Sequence, residues 1–466
     1  MSDDPPLGEP IDGQRTNDRP TGSRPMTDLP ALHITPPSFL AEPAFADLLI
    51  ALPDARVVGG AVRDALAERP VADIDLATAL PPAEVMAALR RAGIRTVPTG
   101  LAHGTVTAVL HDPANPRPVA RPVEITTLRR DVETDGRRAT VAFTDDWRQD
   151  AARRDFTINA MSMTRDGGVH DYFGGIADLR AGIVRFVGDP AARIAEDTLR
   201  VLRYFRFFAR YAATPPDMSV RQALHDGIPA LANLSAERVW SELQRILGAP
   251  NPSAAVALMA ELGILAAVIP EGADPAALAR LIAAGAPADP LLRLAALLTG
   301  KVEHFADRLR LSATDRQRLL DLRTTPLARP DDDDATLRRM LADHDRAALI
   351  DRTWLAHASP TTAPNPDRPP APDWTSDAGW PPAPGRHPDA DWTALRDRLA
   401  ELPRPVFPLE GRDVLALGIP PGPRVGALLR ATRAWWLAGG CTAGADECHV
   451  ELGRQVSRPE GGNPPT

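Results

Sequence analysis

Gly59-Gly60-Ala61-Val62-Arg63-Asp64, followed a short way on by Asp73-Ile74-Asp75, is the stretch on which the reading of this chain turns. A short apolar run at 55–58 precedes the two glycines and a helical pattern at 61–67 follows them, so they occupy a strand-to-helix turn. Glycines at such a turn let backbone approach an anion closely, and the helix N-terminus favours negative charge. Arg63, on the first helical turn, can reach phosphates. A second strand is expected at 74–78. Alternation then puts Asp73 and Asp75 on one face, with apolar Ile74 between them. Two hard oxygen donors side by side suit Mg²⁺, which keeps several waters and bridges to substrate phosphates. A site of that kind activates an attacking hydroxyl and stabilises a leaving pyrophosphate. Alone, Asp-x-Asp also describes a solvated strand face; the glycine turn ahead of it favours the metal. Glu124, on a later expected strand at 123–128, is either a third carboxylate of the site or an exposed strand residue.

Working outward, residues from about 37 to 175 alternate strand-like and helical text, with a helix at 81–93 and a strand at 105–110. This is an α+β unit with a small mixed sheet. From about 189 the text turns helical, with runs at 194–210, 236–247, 253–262, 275–284 and 291–298. The chain has 466 residues, enough for about two to four domains. Its 49 prolines concentrate in a few segments that read as linkers or tails. The net charge is −8, so any nucleic-acid site must be a local basic patch. Lys301 is the sole lysine among 53 Lys and Arg, so arginine richness by itself says little and arginine position must carry the argument. Cys441 and Cys448 form no CxxC pair, there is no early apolar signal segment, and no apolar run approaches the ~20 residues of a membrane span. The expected compartment is the reducing cytoplasm.

Three further motifs join the first. They are Arg153-Arg154-Asp155-Phe156-Thr157-Ile158-Asn159-Ala160-Met161, the run from Glu196-Asp197-Thr198-Leu199-Arg200 to Arg203-Tyr204-Phe205-Arg206-Phe207, and Gly411-Arg412-Asp413 followed by Leu417-Gly418-Ile419-Pro420-Pro421-Gly422-Pro423. In this order the four resemble the motifs of the class II CCA-adding tRNA nucleotidyltransferase and bacterial poly(A) polymerase family. The resemblance implies a nucleotidyltransferase palm followed by an all-α neck, body and tail. On that plan, 1–36 is a disordered tail, 37–178 the catalytic head and 179–250 the neck with a nucleobase-recognition helix. The body is 251–355, a Pro/Asp/Trp-rich insertion or linker is 356–397, an RNA-binding helical tail is 398–455, and 456–466 is a disordered end. By position, the resemblance places Gly59, Gly60 and Arg63 at the phosphates, and Asp73 and Asp75 on Mg²⁺. It places Arg154 and Asp155 by the phosphate and ribose, with Asn159 bracing the turn. Asp197 and Arg200 would face the base, with Arg203 and Arg206 nearby.

The base-facing pair has its own physical argument. Cytosine and adenine each present an amino group beside a ring-nitrogen acceptor. A carboxylate accepts from the amino group and a guanidinium donates to the ring nitrogen. Uracil and guanine would set acceptor against acceptor and donor against donor, at a cost of about 1–3 kcal/mol per unpaired group. Asp197 and Arg200, three apart, neighbour each other on a continuous helix. Steps of three drift by roughly −60°, so on a straight helix Arg206 faces away from Asp197. Arg203 is expected at phosphate. The bland reading is a helix laced with ion pairs such as Arg193–Asp197. The stretch 129–150 reads as a polar loop, His103 as structural, and His344-Asp345 as a surface pair and not a metal-binding dipeptide.

The expected function is template-independent addition of C, C and A to the 3′ end of tRNA, from CTP and ATP, with release of pyrophosphate. Poly(A) synthesis, or addition of CC alone or A alone, shares the chemistry.

Overall fold

The structure is a computed structural model that describes residues 28–71, 73–110, 121–134, 139–359 and 388–457. The chain forms two compact units. The first takes Met1–Arg129, Phe143–Ala151 and Asn159–Ile176; the second takes Arg130–Ala142, Ala152–Ile158 and Ala177–Thr466.

The first unit is built on strands β1 (Leu32–His33), β2 (Arg56–Val58), β3 (Asp75–Thr78), β4 (Arg95–Gly100), β5 (Thr105–Leu110) and β6 (Arg121–Thr127). After β7 (Arg129–Thr134) and β8 (Ala139–Phe143), which pair only with each other, come β9 (Met161–Met163) and β10 (Gly168–Asp171). Eight of them make one mixed sheet in the order β1-β10-β9-β2-β3-β6-β5-β4. Every neighbouring pair in it is antiparallel except β3 and β6. A parallel pair needs a crossover, supplied here by helix Pro82–Arg91 and the hairpin β4–β5. One face of the sheet is packed: Val57, Leu76, Val106, Ala108, Val123 and Ile125 are buried, as are Val85 and Leu89 of the crossover helix. The period of two sends the intervening side chains of β3 and β6 the other way.

The second unit, apart from the β7–β8 ribbon that falls in it, is helical. Helices Leu199–Tyr211, Ala236–Leu247, Ser253–Glu261 and Pro290–Leu297 share one large core containing Tyr204, Phe205, Leu243, Ile246, Met259 and Leu292. Two smaller cores follow. One gathers Leu337, Leu341, Leu349, Trp392, Leu395 and Leu399; the other gathers Val414, Leu428, Trp436, Cys448 and Leu452. No described helix is long and apolar enough to cross a membrane.

Several expectations change. The continuous helix at 194–210 is two helices, Pro190–Glu196 and Leu199–Tyr211, broken at Asp197, whose φ of −153° is extended. The supposed loop at 129–150 contains β7, β8 and the start of helix Trp147–Ala152. The tail read as 1–36 ends sooner: β1 pairs with β10 through Leu32 and Val169, and residues 1–27 lie outside the described residues. Of the segment read as an irregular linker, 388–397 belongs to helix Pro388–Glu401. Trp392, Leu395 and Leu399 there fall at helical spacing and bury. Residues 360–387 lie outside the described residues. At the other end the last helix runs to Ser457, and 458–466 lie outside the described residues.

Candidate active site

In the sheet unit, Gly59 makes the turn between β2 and helix Gly60–Leu66. Its φ of 67° and ψ of −121° are open to glycine and strained for other residues. Gly60 has no such backbone demand. A Cβ there would meet only Arg63 Nη2, at 3.5 Å, so the chain's own packing does not require glycine at this position. Space beside Gly60 is what a closely approaching ligand would need. Arg63 is only 8% exposed. It forks onto both oxygens of Asp64, at 3.0 Å each, and donates to Asn159 Oδ1 at 2.6 Å. Its guanidinium therefore ties the glycine turn to the Thr157–Asn159 turn, and Asn159 is the acceptor that braces it.

Asp73 lies just ahead of β3 and Asp75 is its first residue. Both are exposed, and Ile74 between them is buried. Glu124 of β6 stands directly beside Asp75 in the parallel register and is also exposed. Register partners on adjacent strands share a face, about 4.8 Å apart along the hydrogen-bonding direction. The open face of the sheet thus carries Asp75 and Glu124, with Asp73 exposed just ahead of the strand. Among the described residues no three His, Cys, Asp or Glu side chains are gathered tightly enough to hold a metal by themselves. A hard cation that keeps waters and takes substrate phosphate oxygens needs only one or two protein carboxylates, and this set of oxygens fits it.

In the helical unit, Asp155 is buried at 7% exposure. Its Oδ1 accepts from the Phe156 N–H at 2.9 Å and its Oδ2 from Arg203 Nε at 2.7 Å. Desolvation pulls the Arg203 guanidinium down, and the charge and hydrogen bond of Asp155 more than offset it. Arg154 is half-buried next to this pair. Asp197 ends one helix and starts the next: its Oδ1 accepts from Leu199 N–H at 3.1 Å. Arg238, on helix Ala236–Leu247, forks onto Asp197 at 2.8 and 3.0 Å. Arg200 pairs with Glu196 and donates to the carbonyls of Arg193, at 2.9 Å, and Arg153, at 3.3 Å. Arg206 donates to Glu242 at 3.0 Å. Burial first, and the repulsion of Arg203 second, push the Arg206 guanidinium down to about 10.

The Arg200 N–H donates to the Asp197 carbonyl at 2.9 Å, but their side chains do not bond each other, and each is oriented by a different partner. Asp197 keeps acceptor capacity on Oδ2, and no described group takes the Nε of Arg200. Arg203 is drawn to a carboxylate and Arg206, half-buried, lies against another. The expected Arg193–Asp197 pair is instead Arg193–Glu196, at 2.9 Å. Glu196 stands in its motif without an expected role, and two further residues that position this group, Arg238 and Glu242, lie outside the motifs. Of these two, only Glu242 left a trace, because it falls inside the apolar stripe of Val239, Leu243 and Ile246. His103 is exposed. Asp345 caps helix Arg346–His357, accepting from the Ala347 N–H at 2.9 Å.

Residues 55–185 match the family described as Poly A polymerase head domain, and residues 216–274 match the one described as probable RNA and SrmB-binding site of polymerase A. The chain is 34% identical over 394 residues to the mitochondrial CCA tRNA nucleotidyltransferase 1 of Danio rerio, covering 82% of this chain and 83% of that protein. It is 38% identical over 214 residues to the CCA-adding enzyme of Geobacillus stearothermophilus, covering 45% of this chain and 50% of that one. The crystal structure of the Bacillus stearothermophilus CCA-adding enzyme in complex with CTP superposes with a TM-score of 0.65 at 26% identity, covering 89% of this chain and 98% of that chain.

Proposed function

Because this chain belongs to the CCA tRNA nucleotidyltransferase family, we propose that it adds C, C and A to the 3′ end of tRNA, taking CTP and ATP and releasing pyrophosphate. It is a nucleotidyltransferase. The observation that carries the reading is the carboxylate face of the sheet, with Asp75 and Glu124 in parallel register behind the Gly59-Gly60 turn.

In the proposed reaction the terminal ribose hydroxyl attacks the α-phosphate of the incoming nucleotide. A bond forms from the hydroxyl oxygen to the α-phosphorus, the bond from that phosphorus to the α–β bridging oxygen breaks, pyrophosphate leaves with the electron pair, and the hydroxyl proton passes to solvent. Asp73 and Asp75 would hold a metal, with Glu124 beside them, and the hard oxygen set argues for Mg²⁺. When bound, the metal supplies Lewis acidity for the hydroxyl and the departing pyrophosphate. Gly59 and Gly60 open the backbone for the triphosphate. Arg63, locked on Asp64 and Asn159, holds that turn rigid. Asp155 and Arg154 are assigned to the ribose and phosphate, and Arg203 holds Asp155 in place. The free acceptor capacity of Asp197 takes the base amino group, while Arg200 donates to the ring nitrogen. Arg206 is assigned to the same helix as a half-buried support of that surface.

The helical unit is proposed to take tRNA by shape and phosphate contacts. The two cysteines are buried and unbonded, which suits a reducing cytoplasm, and that compartment is part of the proposal.

The test is incubation with tRNA lacking its 3′ end and labelled CTP, ATP or both. Addition of CC from CTP, completed by one A from ATP, is the expected outcome. Long A-tracts from ATP alone would make this a poly(A) polymerase, and incorporation of CC alone or A alone would make it a partial enzyme. No incorporation in the presence of Mg²⁺ would remove catalysis.

A further inference from the structure

The helical unit holds a pocket of about 210 Å³ lined by Arg280, Arg323 and Arg352 together with Ala277, Leu355 and Ser359. Several other arginines of this unit are matched by carboxylates: Arg318 bridges Asp289 and Asp351, Arg308 meets Glu271, and Arg206 meets Glu242. Two of the three in the pocket are not. Among the described residues Arg323 and Arg352 pair with no carboxylate, and Arg280 reaches only Asp274, at 3.4 Å.

Their hydrogen bonds go instead to carbonyls at the ends of neighbouring helices. Arg280 Nε donates to Ala358 O at 3.0 Å. Arg352 donates from Nε to Thr325 O at 3.1 Å and from Nη1 to Leu322 O at 2.9 Å. Arg323 Nη2 donates to Leu298 O. These bonds fix the guanidinium planes and use only some of the donors. Nη1 of Arg280, Nε and Nη1 of Arg323 and Nη2 of Arg352 have no partner among the described residues. Desolvation, and then the charge of Arg323, hold Arg352 below the usual arginine range. Gathering three cations around a single counter-charge, Asp274, is unfavourable, and an anion between them would reverse the sign of the interaction.

We propose that this pocket binds a phosphate group. Guanidinium forks match the geometry of phosphate oxygens. The volume is below the roughly 300 Å³ at which small-molecule sites begin, so a whole nucleotide does not fit and a single phosphate does. The group is either free inorganic phosphate or one phosphate of a bound RNA backbone. The proposal rests on these three arginines and stands apart from the nucleotide-transfer reading.

The experiment is calorimetric titration of the full chain with inorganic phosphate, chloride holding the ionic strength constant. Wild type is compared with Arg352→Gln and with Ser359→Asp. The second variant sets a carboxylate at the exposed edge of the pocket and removes no guanidinium that holds a helix end. Both should bind phosphate about tenfold more weakly, the loss expected for one charge-assisted hydrogen bond. Binding as tight as wild type in both variants, or no saturable binding by wild type, overturns the proposal whatever the enzyme's activity. A second measurement separates the sources. If phosphate raises the KM for tRNA in wild type and not in Ser359→Asp, the pocket takes an RNA phosphate. If the KM does not move while both variants lose phosphate, it takes the free anion.

Discussion

At the scale of single residues, Asp75 carries the sharpest prediction. It is exposed on the open face of the sheet, between buried Ile74 and buried Leu76, with Glu124 beside it. Replacing it with Asn keeps the size and the strand and removes the charge. Asp75→Asn should lower nucleotide addition by about 10³-fold, the scale of losing several kcal/mol of transition-state stabilisation. The melting temperature and tRNA binding should stay near wild type. Single-turnover assays and thermal melts check both, and retained turnover would take Asp75 out of the metal site. Glu242 is the opposite case. It is 3% exposed and is the carboxylate against Arg206. Glu242→Ala leaves the half-buried Arg206 guanidinium without its carboxylate, which costs about 3 kcal/mol. Denaturant unfolding should show that loss, and a midpoint unchanged from wild type would refute the pairing's role in stability.

At the scale of elements, the break at Asp197 and the anchoring of β1 matter most. A straight helix would have carried Arg206 far round from Asp197. The real break lets the Asp197 carboxylate receive the first turn of the next helix and leaves Arg238, from another helix, to orient it. Sequence spacing cannot reveal this, because Asp-Thr at a helix junction and Asp-Thr inside a helix look alike in periodicity. Both the glycine turn and the alternation of Asp73, Ile74 and Asp75 could be read directly, since each depends on neighbours a few residues away. The β7–β8 ribbon could not, because charged residues mask its alternation. At the sheet edge, Asp28 receives Arg56 and Tyr172, at 2.8 Å each, and stands 3.3 Å from His170 Nδ1. Burial, and then the charge of Arg56, hold His170 below its ordinary 6.5, although Asp28 pulls the other way. A depressed histidine binds fewer protons folded than unfolded, so stability rises with pH up to about 6.5 and falls as pH drops below it. Melting curves across pH 5 to 7 should therefore slope less in His170→Asn than in wild type. Equal slopes would show that this histidine does not set the dependence.

At the scale of the whole molecule, the residues proposed for chemistry and those proposed for base choice lie on different parts of the chain. The carboxylates belong to the sheet unit, and Asp197 and Arg200 to the helical unit. The family pattern was legible because its motifs are local strings, whereas Arg238 and Glu242, which orient them from another helix, are fixed by helix packing and left little in the text. If the division of labour holds, the two units fail in different ways. Asp75→Asn should slow CTP and ATP incorporation by the same factor and leave the preference over UTP and GTP unchanged, since the carboxylate never meets the base. Asp197→Asn should do the reverse. An amide can donate as well as accept, so it can meet the carbonyl of uracil or guanine that a carboxylate repels. Relieving one such mismatch is worth about 1–3 kcal/mol, or roughly 5- to 150-fold in relative kcat/KM. The double variant should show both effects multiplied, because sites without shared partners act independently. Competition assays with all four triphosphates measure the ratios. A change of preference in Asp75→Asn, or an unaltered preference in Asp197→Asn, would mean that base choice is not held by the helical unit.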